Sequence, residues 1–180
     1  MDISTLKKEL RRNIRLLKKD FPEEAKQKES AAIWEQVEKD PLFRQSRCIF
    51  IYWSLPDEVL TPDFIRKWKG EKRFVLPCVV GDELELKYFE EENALHEGEN
   101  FLIPEPSGEA LQDYSAIDLA VVPGMAFDAD KRRLGRGKGY YDKTLCRIQA
   151  PKFGVCYSFQ FVETVPTDSF DIPMDKVVHG

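Results

Sequence analysis

The chain has 180 residues, 42% hydrophobic and 12% aromatic, and a net charge of -5 from 27 basic and 32 acidic side chains. That is enough apolar matter for one sizeable core, and it excludes a disordered, low-complexity or collagen-like protein. Apolar runs reach about six residues, far short of the ~20 that span a bilayer, and the N-terminus MDISTLKKELRR lacks the apolar region of a secretory signal.

Residues 4–19 carry Leu6, Leu10, Ile14 and Leu17 at helical spacing, which predicts an amphipathic helix with one apolar stripe. Lys7, Arg11, Arg15 and Lys18 repeat one position later and form a basic stripe beside it. Pro22, Glu23 and Glu24 open a second helix to about Lys39. Cys48–Trp53 is a continuous β-rich run, as expected of a strand covered on both faces. Thr61-Pro62 reads as an N-cap and first helical residue, so a helix is expected over 62–69. Phe74–Val80 is a second strand whose Pro77 predicts an edge or a bulge. Gly81-Asp82 turns into an alternating partner strand over Leu84–Phe89. Residues 90–116 read as an acidic surface excursion. Ile117–Val122, Phe153–Tyr157 and Lys176–Val178 are further strands, with a helix over Lys138–Ile148 after a glycine-rich loop. The alternation predicts a single α/β domain over 1–180: a mainly parallel sheet flanked by helices on both faces, preceded by an N-terminal helical pair.

Cys48, Cys78, Cys146 and Cys156 are widely separated, with no CxxC and only two histidines, so buried free thiols and a reducing cytoplasm are expected rather than a zinc site. Charge is strongly segregated. Residues 1–19 hold seven basic and two acidic side chains, 82–113 one basic and eleven acidic, and 124–143 six basic and three acidic. Two positive segments in an acidic protein suggest a focused site for an anionic ligand, although a solvated face is the ordinary reading of either alone.

The second positive segment contains Gly135, Gly137 and Gly139 alternating with Arg136 and Lys138, running into Tyr140-Tyr141-Asp142. Glycines let backbone N–H groups close on an anion, and the loop leads into a helix N-terminus. Arg133, Arg136 and Lys138 add full positive charge, Arg being able to grip phosphate through two nitrogens. No GxxxxGK[ST] string is present, and the glycine spacing does not fit a dinucleotide fingerprint, so neither a P-loop nucleotidase nor a Rossmann dehydrogenase is indicated. Asp142 suits either stabilisation of the helix start or a Mg2+ ligand beside bound phosphates.

RLGRGKGYYD (Arg133–Asp142), preceded by VVPGMAFD (Val121–Asp128), resembles the signature of the 5-formyltetrahydrofolate cyclo-ligase (methenyltetrahydrofolate synthetase) family. The order continues with K-x-x-L-R at Lys7–Arg11, S-x-x-D-E at Ser54–Glu58 and D-x-x-x-D-x-V at Asp171–Val177, so the resemblance spans essentially the whole chain. It implies a cytoplasmic enzyme, a monomer, that converts 5-formyltetrahydrofolate to 5,10-methenyltetrahydrofolate with ATP as co-substrate and Mg2+ as cofactor. It implies small-molecule partners only, with no nucleic acid and no membrane. Carried over by position, Lys7, Arg11 and the run Arg133, Leu134, Gly135, Arg136, Gly137, Lys138, Gly139, Tyr140, Tyr141 would bind ATP. Trp53, Glu58, Arg136, Gly137, Lys138, Gly139 and Tyr140 would face the folate. Arg136 and Lys138 would be catalytic, and Asp142 and Asp171 would hold the metal. The chain departs from the family in two places: Ala129-Asp130-Lys131-Arg132 replaces a turn that usually has a glycine, and His179 stands where Thr or Ser is common.

Two other functions remain open from the residues alone. A phosphotransferase or nucleotide hydrolase with another acceptor would use the same loop. Alternatively, helix 4–19 and loop 131–138 would form one basic patch for RNA, against which the net negative charge counts. Trp53 suits either the core or a ligand wall, and Glu58 either solvent or a site at a strand's carboxyl end.

Overall fold

The computed structural model describes residues 1–92, 95–97, 104–105 and 108–180. Its frame is a six-stranded sheet in the order β10-β9-β6-β1-β2-β3. The strands are β1 (Cys48–Phe50), β2 (Arg73–Val80), β3 (Glu83–Tyr88), β6 (Leu119–Val122), β9 (Lys152–Cys156) and β10 (Lys176–His179). All neighbours are parallel except the β2–β3 hairpin. Two short antiparallel ribbons stand apart: β4 (His96–Glu97) with β5 (Pro104–Glu105), and β7 (Ala126–Phe127) with β8 (Arg133–Leu134).

The continuous apolar runs are explained by cover on both faces. Ile49, Ile51, Leu119 and Val121 face a layer made by α2 (Glu23–Lys39), α3 (Pro41–Gln45) and α4 (Pro62–Trp68). The alternate residues Cys48, Phe50, Ala120 and Val122 face Leu145 of α5 (Tyr140–Leu145) and its neighbours. The N-terminal helix α1 (Ile3–Lys19) is capped by Asp2, whose carboxylate accepts from Thr5 N at 2.8 Å. Its Ile14 packs with Met125, Ala126 and Leu134 of the β7–β8 ribbon and with Val165.

Several local expectations are corrected. The apolar stripe of α1 is buried only at Ile14, with Leu10 half-buried; Leu6 and Leu17 stay exposed. β2 is an interior strand despite Pro77. Its register with β1 ends at Val75, so Pro77 has a strand partner only in β3, at Leu86, and no ladder donor is missed on the other side. Thr61 gives α4 no side-chain cap. Its Oγ1 instead accepts from Ser54 N at 2.9 Å while Thr61 N donates to Ser54 Oγ at 3.1 Å, closing the 54–61 loop on itself. The helix expected over 138–148 begins at Tyr140 because Gly137 and Gly139 take φ of 113° and 73°, outside the helical region, and it ends at Leu145. Part of the acidic 90–116 segment lies outside the described residues. The rest is not merely a surface excursion: Leu111 is buried, and its N–H donates to Leu86 O on the outer edge of β3.

No helix among the described residues is long and apolar enough to cross a membrane. Cys48, Cys78 and Cys156 are buried and Cys146 is exposed.

Candidate active site

From β1 the chain moves outward to β2 and β3, then returns to the opposite side of β1 as β6. Strand order therefore reverses at the β1–β6 boundary, and open α/β sheets bind ligands outside the carboxyl ends of strands at such a point. A cavity of about 1250 Å3 lies there, lined by Tyr52 and Trp53 after β1 and by Pro123 and Gly124 after β6. Every site residue expected from sequence lines it: Lys7, Arg11, Trp53, Glu58, the whole of Arg133–Tyr141, Asp142 and Asp171.

The β7–β8 ribbon carries the glycine-rich loop across the mouth. Its tip, Ala129–Arg132, keeps a left-handed residue without glycine: Lys131 has φ 67°. The buried carboxylate of Asp128 compensates, accepting from the backbone N–H groups of Asp130, Arg132 and Val165. Arg133 is buried under the loop. Its Nε donates to Pro123 O at 2.7 Å, its guanidinium lies 5.0 Å from the Tyr141 ring centre, and its Nη1 is 3.9 Å from Asp142 Oδ1. Burial pulls its pKa down, Asp142 opposing, but an Arg so placed keeps its charge and braces the loop from below. Arg136 and Lys138 are exposed on the cavity side of the glycines.

Helix α1 reaches the same cavity with its basic stripe. Arg11 Nε donates to Gly135 O at 2.8 Å. Lys7 Nζ lies 2.6 Å from Asp171 Oδ2 and 3.0 Å from Asp168 Oδ2. Burial alone would lower the Lys7 pKa, but the hydrogen bonds to Asp171 and Asp168 more than offset it and hold the amine above its ordinary value. Lys18 Nζ, nearly buried, sits 3.1 Å from Asp57 Oδ2; there burial wins and the amine is held low despite Asp57. Arg15 of the same stripe is exposed and does not line the cavity.

Loop 54–61 supplies the opposite wall. Tyr52 Oη donates to Val59 O and Tyr157 Oη to Glu58 O, both at 2.8 Å, which fixes the backbone around Glu58. The Glu58 carboxylate accepts from Leu55 N at 2.8 Å, and burial pushes its pKa up. Trp53 stacks on Phe89 with ring centres 5.8 Å apart, half-buried and lining the cavity, so it belongs to the core and the wall together. A cationic loop thus faces an apolar and aromatic wall across one space, an arrangement suited to a ligand with phosphate at one end and a flat ring at the other.

Residues 3–180 match the model of the 5-formyltetrahydrofolate cyclo-ligase family. The chain belongs to this family. It is 36% identical to the 5,10-methenyltetrahydrofolate synthetase of Aquifex aeolicus, with a TM-score of 0.87 over 97% of this chain and 89% of that one. The 5,10-methenyltetrahydrofolate synthetase of Mycoplasma pneumoniae is 25% identical with a TM-score of 0.76, over 96% and 97% of the two chains. A probable 5-formyltetrahydrofolate cyclo-ligase of Schizosaccharomyces pombe is 30% identical over 170 residues, 83% of each chain. As a cyclo-ligase family member the chain is an enzyme of the ligase type.

Among the described residues of this cyclo-ligase family member, no three His, Cys, Asp or Glu side chains cluster as a metal cage. Mg2+ does not need one, since it commonly takes one or two carboxylates and fills its shell with water and phosphate oxygens. Asp142 and Asp171 fit that pattern. Both line the cavity, and each commits one oxygen to the protein: Asp142 Oδ1 accepts from Ile172 N, and Asp171 Oδ2 accepts from Lys7 and Asp168 N.

Sequence reasoning missed two parts of the cyclo-ligase cavity and one residue behind it. The β2–β3 hairpin contributes an apolar strip of Leu76, Pro77, Val79 and Leu84. The 168–172 loop adds Asp168 and an exposed Phe170. Asp57 stands just behind the wall and ties Lys18 to Arg136. The available signals were the Asp57 of the S-x-x-D-E string and the spacing of Asp168 and Asp171.

Proposed function

We propose that this chain converts 5-formyltetrahydrofolate to 5,10-methenyltetrahydrofolate in an ATP- and Mg2+-dependent reaction that releases ADP and phosphate. The observation that carries the reading is the convergence on one cavity of a glycine-rich loop, cations from two distant segments and a pair of carboxylates. The names of the A. aeolicus and M. pneumoniae relatives point to the same product.

A formamide carbon is a poor electrophile and its oxygen a poor leaving group. In the proposed reaction the formyl oxygen attacks the terminal phosphorus of ATP; that O–P bond forms and the bond to ADP breaks. N10 then attacks the formyl carbon, the C–O bond breaks with departure of phosphate, and N10 gives up its proton as the five-membered ring closes. The protein's work is alignment and charge neutralisation rather than covalent chemistry. Lys138, Arg136 and the N–H groups between Gly135 and Gly139 neutralise the moving phosphoryl group. Lys7 and Arg11 hold the nucleotide from α1. Trp53 and Glu58 hold the folate, Trp53 by ring contact and Glu58 by accepting hydrogen bonds. Bound Mg2+, held by Asp142 and Asp171, would supply charge neutralisation at the phosphates. We place the enzyme in the cytoplasm, where buried free thiols persist, acting as a single copy on small molecules.

The test is to mix purified protein with 5-formyltetrahydrofolate, ATP and Mg2+ and follow the near-ultraviolet absorbance of the methenyl product. The band is expected to grow, and to be absent without ATP. ATP hydrolysis with no band would discard the folate assignment and favour a phosphotransferase or hydrolase using the same loop.

A further inference from the structure

We propose that Asp57 is a positioning residue for this site: it holds Arg136 off Glu58 and so leaves the Glu58 carboxylate open to the bound folate. The proposal rests on the folate assignment above. Asp57 and Lys18 do not line the cavity, whereas Arg136 and Glu58 do. Asp57 can therefore reach a bound ligand only through its neighbours.

The geometry is a competition between two carboxylates for one nitrogen. Arg136 Nη2 lies 3.0 Å from Asp57 Oδ1 and 3.7 Å from Glu58 Oε2. The first distance is a charge-assisted hydrogen bond and the second is not a hydrogen bond. Asp57 is held in place from behind, because its Oδ2 is on Lys18 Nζ at 3.1 Å. The two cations hold its carboxyl below the usual range even though burial would raise it. Glu58 cannot retreat. Its backbone N–H donates to Leu55 O, its carbonyl accepts from Tyr157, and its Oε1 accepts from Leu55 N. Arg136, by contrast, has an exposed, long side chain, so its guanidinium can swing to a new partner at little cost. Without the Asp57 charge, a movement of about 0.8 Å would bring Arg136 into hydrogen-bonding range of Glu58. The pterin end of a folate presents adjacent N–H donors, which a carboxylate accepts as a pair; a guanidinium on that carboxylate competes for the same oxygens.

The test compares wild type, Asp57→Asn, Arg136→Gln and the double variant. Kd for 5-formyltetrahydrofolate is read from tryptophan fluorescence, KM for ATP from turnover, and folding from thermal melting. Asp57→Asn is expected to weaken folate binding about tenfold or more, to leave KM for ATP within about twofold, and to lose its effect on folate once Arg136 is Gln. A merely structural role would move both substrates and melting together, with the same loss in either background. Unchanged folate affinity in Asp57→Asn, or an equal loss with Arg136 removed, overturns the proposal. Should the stranded Lys18 amine prevent Asp57→Asn from folding, Asp57→Asn with Lys18→Met removes that unpaired charge and is judged by the same two results. Wild-type protein that binds no 5-formyltetrahydrofolate would overturn the folate assignment and this proposal together. Wild-type binding with an unaffected Asp57→Asn would overturn this proposal alone.

Discussion

Gly154 sits mid-strand in β9, in register with Val122 on one side and Val177 on the other. A Cβ placed there would lie 2.3 Å from Cε1 of Phe127, 2.8 Å from Cδ1 and 2.9 Å from Cζ. Carbon atoms pack best at ~3.5–4.0 Å, so the ring would have to withdraw by roughly 1 Å. It has little room to do so. Phe127 is fully buried, and its other edge already approaches Gly124 so closely that a Cβ there would be 2.9 Å from Cε2. Gly154→Ala is therefore an overpacking change, expected to cost about 1–3 kcal/mol. For a protein of this size that lowers Tm by roughly 2–12 °C. Because Phe127 belongs to the ribbon that carries the glycine-rich loop, turnover should fall along with stability. The decisive assay is urea and thermal unfolding of Gly154→Ala, Phe127→Leu and the double variant. The smaller side chain should recover part of the loss, so the double variant should be more stable than the sum of the singles. A Gly154→Ala protein that melts like wild type, or strictly additive variants, would refute the argument from close approach.

Four further outcomes follow from particular contacts. Lys138→Ala, at an exposed position in the loop, should leave melting unchanged and cut methenyl formation by about 10²–10³-fold, read by the absorbance assay. Lys131→Gly relieves a left-handed residue and should raise the urea midpoint by the equivalent of about 0.5–1 kcal/mol. Chelation of Mg2+ should stop turnover yet leave Tm in place, since no metal-ligating cluster among the described residues braces the fold. Asp40 is held below its ordinary 3.8: burial would raise it, but Lys176 at 2.7 Å and Leu42 N more than offset that. A depressed carboxylate stabilises the fold above its unfolded pKa and loses that contribution as pH falls through its folded value. Asp40→Asn should thus cost about 0.5–1 kcal/mol at pH 7, with the difference from wild type shrinking below pH ~4.

What the sequence revealed about the fold was what repeats along one element. The continuous apolar run from Cys48 announced a strand covered on both faces, those at Ile117 and Phe153 announced further strands, and the spacing of Lys7 and Arg11 placed both on one side of α1. What it concealed depended on partners distant in the chain. Pro77 looked like an edge residue because nothing local shows that β1 ends its register at Val75. Thr61 looked like a cap because nothing local shows Ser54 folded back beside it. The apolar stripe of α1 promised more burial than Ile14 delivers, because the ribbon it meets is only two residues per strand. In the site, the glycines and basic residues of the loop were legible, since phosphate chemistry prescribes them in one short segment. The carboxylates that restrain them were not. Asp57 stood in the S-x-x-D-E string, but its task, like that of Asp168, shows only once α1 brings Lys18 and Lys7 against them.

That restraint bears on how an acidic protein keeps a cationic pocket. Lys7, Arg11, Arg133, Arg136, Lys138 and Lys143 line the cavity, against Glu58, Asp142, Asp168 and Asp171, leaving a surplus of only two positive charges. Packed together without counter-ions, those cations would repel one another and hold the loop open. Each fixed carboxylate lowers that repulsion while the site is empty, and each must then be released or shared when phosphate arrives. The attraction for a nucleotide is correspondingly smaller than the number of Lys and Arg suggests. The gain is geometric. Lys7 is already aligned on Asp171, so a phosphate that replaces that carboxylate meets a cation held in place, with little side-chain entropy left to lose.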